Sequence, residues 1–319
     1  MTRTSIVCVV AIAIHAALAP PVAVGERQEP TSQERRVKAG KASLYTREVG
    51  HGQPILVLHG GPDFDHSYFV PELDSLSDAY RLIYYDQRGR GKSADGVQPD
   101  DVTIASEVSD LEKIRESFQL ESAAVLGHSW GAVLALEYAT RHPDRVSHIV
   151  LMNPAPVSAA DFAMFRQVYV DKLGNDLARL KAVAATPSYK DGDPDAVEAY
   201  YRIHFQPALT QPEHLETIVK RLRASFTRDG ILKARAIEDR LVAETWRSPG
   251  YDLLPKLATL RIPALVLYSE HDFIPPQVAE HIARALPNAR LVGLKGCGHF
   301  SYLDCPSAVR TEIDSVFRR

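Results

Sequence analysis

Ser129 stands in the stretch VLGHSWGAVLALEYA, residues 125–139, where an apolar run suited to a buried strand becomes a helical pattern with no loop between them. A serine hydroxyl attacks a carbonyl only when a base removes its proton and its oxygen is exposed to substrate. A sharp strand-to-helix turn pushes that oxygen out at the edge of a sheet. Such a turn needs near-vanishing neighbours two positions to either side. Gly127 and Gly131 are those neighbours. The helix that follows also aims its first amides at developing negative charge. The G-x-S-x-G spacing is weak evidence alone, and the strand before it and helix after it make it strong.

The partners of such a serine follow in the order acid, then histidine. The apolar run Ala264 to Tyr268 leads into SEHDFIPP, which puts Asp272 in a loop after a strand. The run Leu291 to Leu294 leads into GLKGCGHFSYLDCP, which puts His299 in a glycine-rich loop before the last helix. His299 is expected to take the proton from Ser129 and return it to the leaving group, with Asp272 fixing the imidazole's tautomer and orientation. Glu270 is the nearby alternative acid. Asn153, where a substitute carboxylate could stand, carries none, which favours Asp272. In LVLHGGPDFDH a strand ends at His59-Gly60-Gly61, leaving backbone amides free. Gly61 N–H and Trp130 N–H are the expected oxyanion hole. His59 is read as a brace for this loop.

Two other patterns lead nowhere. YYDQRGRGKSA contains Gly91-Lys92-Ser93, the tail of a phosphate-binding loop, but the glycine required five residues earlier is Asp86. Asp86-Gln87-Arg88-Gly89 reads instead as a loop tied down by charge and hydrogen bonds. His66 with Asp63 and Asp65 matches no metal-site spacing. No cofactor and no metal are expected.

The elements that must position these residues are short β-branched runs: Ile55 to Leu58, Leu82 to Tyr85, Ala123 to Leu126, His148 to Leu151, Ala264 to Tyr268 and Leu291 to Leu294. Helical patterns separate most of them, as at Ile104 to Phe118 and Gln277 to Leu286. This alternation predicts an α/β fold with a mostly parallel central sheet and helices on both faces. Residues 37–50 alternate more and predict an antiparallel opening hairpin. From Ser158 to about Trp246 the chain reads as helix after helix, with start signals at Asp193 before Pro194 and at Thr210 with Glu213. Such a block is most simply a cap over the carboxyl edge of the sheet. Most of its aromatics (Phe162, Phe165, Tyr169, Tyr200, Tyr201, Phe205, Phe226, Trp246) are expected to fill the cap's own core. The expected division is residues 26–156 for the first half of the core, 157–250 for the inserted cap and 251–319 for the second half.

The 319 residues carry a net charge of −3 and show no basic stripe, which argues against a nucleic-acid partner. At the N-terminus, Arg3 precedes an apolar run from Ile6 to about Ala19 and then small residues, the layout of a secretory signal. Cleavage after Gly25 would leave Ala23 at the −3 position, so residues 1–25 are excluded from the fold. A secreted or periplasmic protein is expected, with no membrane association once the signal is removed. Residues 26–36 look like a polar mature terminus. Cys297 and Cys305 either bridge or remain two thiols. The oligomeric state is not legible.

These residues together resemble the α/β-hydrolase superfamily from about residue 37 to 319. Within it, HGGP at 59–62, DQRGRGKS at 86–93 and GHSWGA at 127–132 look like the proline iminopeptidase group. That resemblance implies a Ser-Asp-His triad under a helical cap and removal of an N-terminal residue, typically proline, from small peptides. The group's motif continues as HGGPG, whereas Asp63 replaces that last glycine here. The group binds the substrate amine with cap glutamates. Glu198, Glu213, Glu216, Glu238 and Glu244 are present, and each is read as a solvated helix carboxylate. The expected function is a secreted serine hydrolase forming an acyl-enzyme on Ser129, acting on a short peptide or small molecule. A carboxylesterase for small esters is the alternative, and a ligand-binding relative with little turnover is a third reading.

Overall fold

The computed structural model describes residues 31–318, so the predicted signal at residues 1–25 lies outside the described residues. Eight strands form one sheet: β1 (Ser32–Ala39), β2 (Ala42–Val49), β3 (Gln53–Leu58), β4 (Tyr80–Tyr85), β5 (Ala123–His128), β6 (Val146–Met152), β7 (Ala264–Ser269) and β8 (Ala289–Leu294). Their spatial order is β1-β2-β4-β3-β5-β6-β7-β8. β1 pairs β2, and β2 pairs β4, antiparallel, while every other neighbouring pair is parallel.

Burial explains why these runs become these strands. Every residue of β5 is buried, as are the last four of β3 and β6, which is how strands covered on both faces read. β1 is the opposite case. It begins at Ser32, so residues 32–36 are strand and not a loose polar terminus. Their charged side chains suit an exposed sheet edge, where the ladder to β2 rewards the backbone and charge discourages further pairing. Arg35 also lies over the Phe118 ring at 3.3 Å.

The α-helices of the described chain are α1 (Ile104–Ser117), α2 (Trp130–Arg141), α3 (Ala159–Leu173), α4 (Asp176–Ala185), α5 (Pro187–Lys190), α6 (Pro194–His204), α7 (Pro212–Ala224), α8 (Arg228–Glu244), α9 (Leu254–Leu257), α10 (Pro276–Ala285), α11 (Ser301–Asp304) and α12 (Pro306–Phe317), joined in places by short 3-10 turns. α3 to α8 form an unbroken helical block between β6 and β7. Ser158 and Asp252 pair across its base in an isolated antiparallel bridge. Asp193 caps α6, accepting from the amides of Asp195 and Ala196. The Thr210 signal is not used: α7 starts at Pro212 with Gln211 as its cap. Proline's fixed φ starts a helix without a capping side chain.

Side chains of the block bind the sheet domain. Trp246 Nε1–H donates to the Pro156 carbonyl at 2.7 Å, and Glu244 accepts from the first amide of α1 at 2.9 Å. From β3 the chain moves to one side to make β4, then crosses to make β5 on the other side. The crevice beyond β3 and β5 is therefore a topological switch point, where open α/β sheets bind ligands.

Candidate active site

Ser129 follows β5 directly and has φ 54° and ψ −120°, a region that side-chain-bearing residues rarely occupy. Neighbouring backbone holds it there. Its amide donates to Met152 O at 3.1 Å, and its carbonyl accepts from Ala132 N–H at 3.0 Å and Ala155 N–H at 3.1 Å. A Cβ on Gly127 would lie 2.4 Å from Gly131 O, and one on Gly131 would lie 2.2 Å from Leu58 O. Both obstacles are backbone and cannot swing away, so the turn requires glycine at both places.

His299 Nδ1 meets Asp272 at 2.9 Å and 3.1 Å to the two carboxylate oxygens, and both side chains are almost wholly buried. Asp272 is held from two further directions. Asn153 Nδ2–H donates to it at 2.7 Å and the Ile274 amide at 2.9 Å. Asn153 thus does not replace the acid but orients it. Glu270, the alternative acid, is exposed and accepts from the Gly296 amide instead. Ser129 and His299 face one cavity of about 540 Å³, which also reaches Gly60, Gly61, Phe273 and the helical block. The Ser129 hydroxyl has no hydrogen-bond partner among the described residues.

The hydrogen bonds around Gly61 and Trp130, the expected oxyanion donors, set which way their amides face. The Gln87 amide donates to His59 Nε2 at 3.0 Å, so the neutral ring carries its proton on Nδ1 and gives it to Gly60 O at 2.9 Å. Burial, with the Arg90 cation next, pushes His59 down to about 3 and keeps it neutral. In a trans peptide the N–H points opposite to the C=O. Fixing Gly60 O therefore aims Gly61 N–H the other way. Gly61 has φ +116°, which favours glycine. Trp130 is the first residue of α2, and neither its amide nor that of Gly61 donates elsewhere among the described residues. Gln87 Nε2–H ties down His59 O at 2.8 Å and its Oε1 accepts from Arg90, which pairs with Glu107 at 2.7 Å. The Asp86–Gly89 loop thus clamps the His59–Gly61 loop.

The far wall of the cavity departs from the sequence reading twice. Six of the eight block aromatics (Phe162, Phe165, Tyr200, Tyr201, Phe205, Trp246) line the cavity, so the expectation that most fill the cap's core is corrected. Four of them lie on α3 and α6 and two just beyond the ends of α6 and α8, and spacing alone could not tell which ones packing would turn into the cavity. Glu238, read as solvated, also lines the cavity beside Asp63 and Arg235. Burial, with the neighbouring Asp63 carboxylate next, pushes Glu238 up to about 8, and burial raises Asp63 too. Tyr201 O–H donates to Asp63, the residue standing where the resembled motif has glycine. Arg235 donates through Nη1 to Tyr189 O at 2.6 Å, while its Nη2 has no partner among the described residues. Glu198, Glu213, Glu216 and Glu244 are not on the cavity wall. The departure at Asp63 was the one sequence signal of this wall.

Asp65, His66 and Asp86 converge closely enough to suggest a cation site, though Asp63 does not join them. Several of their ligand atoms already hold hydrogen bonds. His66 Nδ1 bonds Asp86 at 2.6 Å, Lys92 N–H bonds the other Asp86 oxygen at 2.7 Å, and Ser67 N–H bonds Asp65 at 2.8 Å. The cluster fastens the Asp86 loop. Cys297 and Cys305, left open by the sequence, are joined as a disulfide with Cα atoms 6.0 Å apart, closing the loop that carries His299.

The family described as alpha/beta hydrolase fold matches residues 53–306. A proline iminopeptidase of Lactobacillus delbrueckii subsp. bulgaricus is 29% identical over 283 residues, spanning 85% of this chain and 92% of that protein. A proline iminopeptidase of Saccharolobus solfataricus is 26% identical over 291 residues, spanning 86% and 88%. Among solved structures, a proline iminopeptidase-related protein of Thermus thermophilus superposes with a TM-score of 0.68 at 26% identity, covering 90% of this chain and 98% of that one.

Proposed function

The chain belongs to the alpha/beta hydrolase family, in its proline iminopeptidase-like group, and on that premise we propose that it is an exported serine aminopeptidase acting on short peptides. Ser129 attacks the carbonyl of the N-terminal residue as His299 takes its proton. The oxyanion settles between the amides of Gly61 and Trp130. His299 then gives the proton to the departing amine, and water repeats the sequence to release the acyl group.

One observation carries the peptidase reading over the esterase one: two partly buried carboxylates, Asp63 and Glu238, on the wall of the cavity that holds Ser129. An esterase needs only an apolar acyl pocket. An aminopeptidase must stabilise an ammonium one carbon away from the reacting carbonyl. The Asp63 carboxylate lies beside the oxyanion loop, since a Cβ on Gly61 would be 3.0 Å from its Oδ1. An ammonium there would pair with these carboxylates beside the Arg235 cation, which already faces both, and it would favour the ionised forms that their mutual repulsion disfavours.

The deciding experiment compares prolyl and other aminoacyl arylamides with their N-acetylated forms and with short-chain aryl esters. Hydrolysis of the free-amine arylamides, with at least about tenfold loss on N-acetylation, is expected; each 1.4 kcal/mol of lost charge pairing is tenfold. Hydrolysis of the esters alone would replace the peptidase reading with the carboxylesterase. Export is supported by the Arg3-to-Gly25 pattern and by a disulfide of the kind that persists in oxidising compartments. Sequencing the mature N-terminus tests it, with Glu26 expected first.

A further inference from the structure

We propose that His128, with Tyr68, is a positioning residue that locks the oxyanion loop and the base loop into one unit around Ser129. His128 is the last residue of β5 and immediately precedes the nucleophile. Its two ring nitrogens bond in opposite directions. Nδ1 meets the Tyr68 hydroxyl at 2.9 Å and Nε2 meets the backbone carbonyl of His299 at 3.0 Å. The Tyr68 oxygen in turn accepts from the Gly60 amide at 2.6 Å.

The proton positions follow from these partners. A carbonyl can only accept, so His128 must donate through Nε2–H. A neutral ring then offers Nδ1 as acceptor, and Tyr68 must donate its hydroxyl proton there. The same oxygen remains free to accept from Gly60. One directed chain therefore runs Gly60 N–H to Tyr68 O–H to His128 Nε2–H to His299 O. It joins the residue before the oxyanion donor Gly61 to the backbone of the base. Cooperative polarisation strengthens such a chain when it is buried.

Charge gives the ring its second property. Burial, and then repulsion between the two rings whenever His299 is charged, push His128 well below the ordinary histidine range. The His128 and His299 ring centroids are 4.7 Å apart. His299 must become an imidazolium while Ser129 attacks, and a second charge on the adjacent ring would oppose that step. A neutral His128 fixes the base without competing for its proton. It acts through Gly60 and His299 rather than on the substrate.

This inference rests on Ser129 being the nucleophile, and the test keeps the two apart by measuring fluorophosphonate labelling rates and aryl ester kinetics on the full chain. The variants are His128→Ala, His128→Gln, Tyr68→Phe and the double variant Tyr68→Phe/His128→Ala. An unlabelled wild type would remove the nucleophile reading itself. With a labelled wild type, His128→Ala should slow labelling and kcat by about 10²-fold, the scale of losing one oxyanion contact, while KM stays within about threefold. His128→Gln, which retains a donor for His299 O, should recover most of that loss. Tyr68→Phe should lose about tenfold, and the double variant should be no slower than His128→Ala, because the links of one chain are not additive. Tyr68→Phe removes only an oxygen, so it reports even where His128→Ala folds poorly. Wild-type rates in Tyr68→Phe and His128→Gln together, multiplicative losses in the double variant, or a loss borne by KM would overturn the proposal.

Discussion

The cavity has two walls of different construction. The wall nearest the sheet is made of backbone: the amides of Gly61 and Trp130, the strained Ser129 turn, and loops after β7 and β8 that bring Asp272 to His299. Its carboxylate and its bracing imidazoles each have fixed hydrogen-bond partners. The far wall is made of side chains from the loop that carries Asp63, from α3, α6 and α8, and from the residues just after α6 and α8. There Glu238 makes no hydrogen bond among the described residues, Arg235 leaves one nitrogen unpaired, and Asp63 is held only by Tyr201 and its own loop. Reacting atoms need fixed dipoles in place before the reaction begins. A recognition surface can hold incompletely paired charge, because the ligand completes it. Under the proposed function, the near wall would carry catalysis and the far wall selection.

The sharpest break of that division is Ser129→Ala. Loss of the nucleophile should lower turnover by about 10⁶-fold and abolish fluorophosphonate labelling while leaving the melting temperature unchanged. Equal labelling of wild type and variant would put the nucleophile elsewhere. Asp272→Asn keeps the shape at the same wall but reverses a hydrogen bond, so that an amide faces His299 Nδ1. A loss of about 10⁴-fold in kcat is expected, as for the equivalent change in serine proteases. Rates near wild type would shift the acid's role to Glu270 and mean that the near wall is less rigid than its hydrogen bonds imply.

The same division explains what the sequence could tell. The near wall depends on glycines at fixed offsets and on loops directly after apolar runs, and both are local patterns. Gly127, Gly131, Gly61, Asp272 and His299 could therefore be named before any fold was known. The far wall depends on how helices of the block rotate over the sheet. Glu238 and the aromatics were visible as residues, but which face of α8 or α6 points inward is set by packing between elements distant in sequence. Thr210 and Glu213 show the limit of local signals too, since Pro212 started the helix without them. Tyr68 and His128 bond each other across 60 residues and reach on to Gly60 and His299, contacts that no spacing rule reaches.

The smallest expected effect is the most discriminating, because it concerns the far wall alone. Glu238 has an ordinary carboxyl value of 4.5 and is raised to about 8 in the folded protein. The folded state therefore binds a proton that the unfolded state releases between those values. Stability from this group is present below 4.5 and is lost as pH rises through about 8. Glu238→Gln should flatten the fall in melting temperature across that window. Binding couples to the same proton. Below about 8, capture of a substrate ammonium must expel the Glu238 proton, so kcat/KM for free-amine arylamides should climb by up to tenfold per pH unit. Above about 8 a typical peptide α-amine loses its own charge, and the curve should turn over. A neutral aryl ester has no ammonium and should lack this limb, sensing only the near wall. In Glu238→Gln the arylamide profile should collapse onto the ester profile, with KM for the arylamide raised about tenfold and ester turnover within twofold; tenfold is about 1.4 kcal/mol of lost charge pairing. If the variant instead lost ester and arylamide turnover alike, the far wall would be part of the catalytic machinery and the two walls would not be separable.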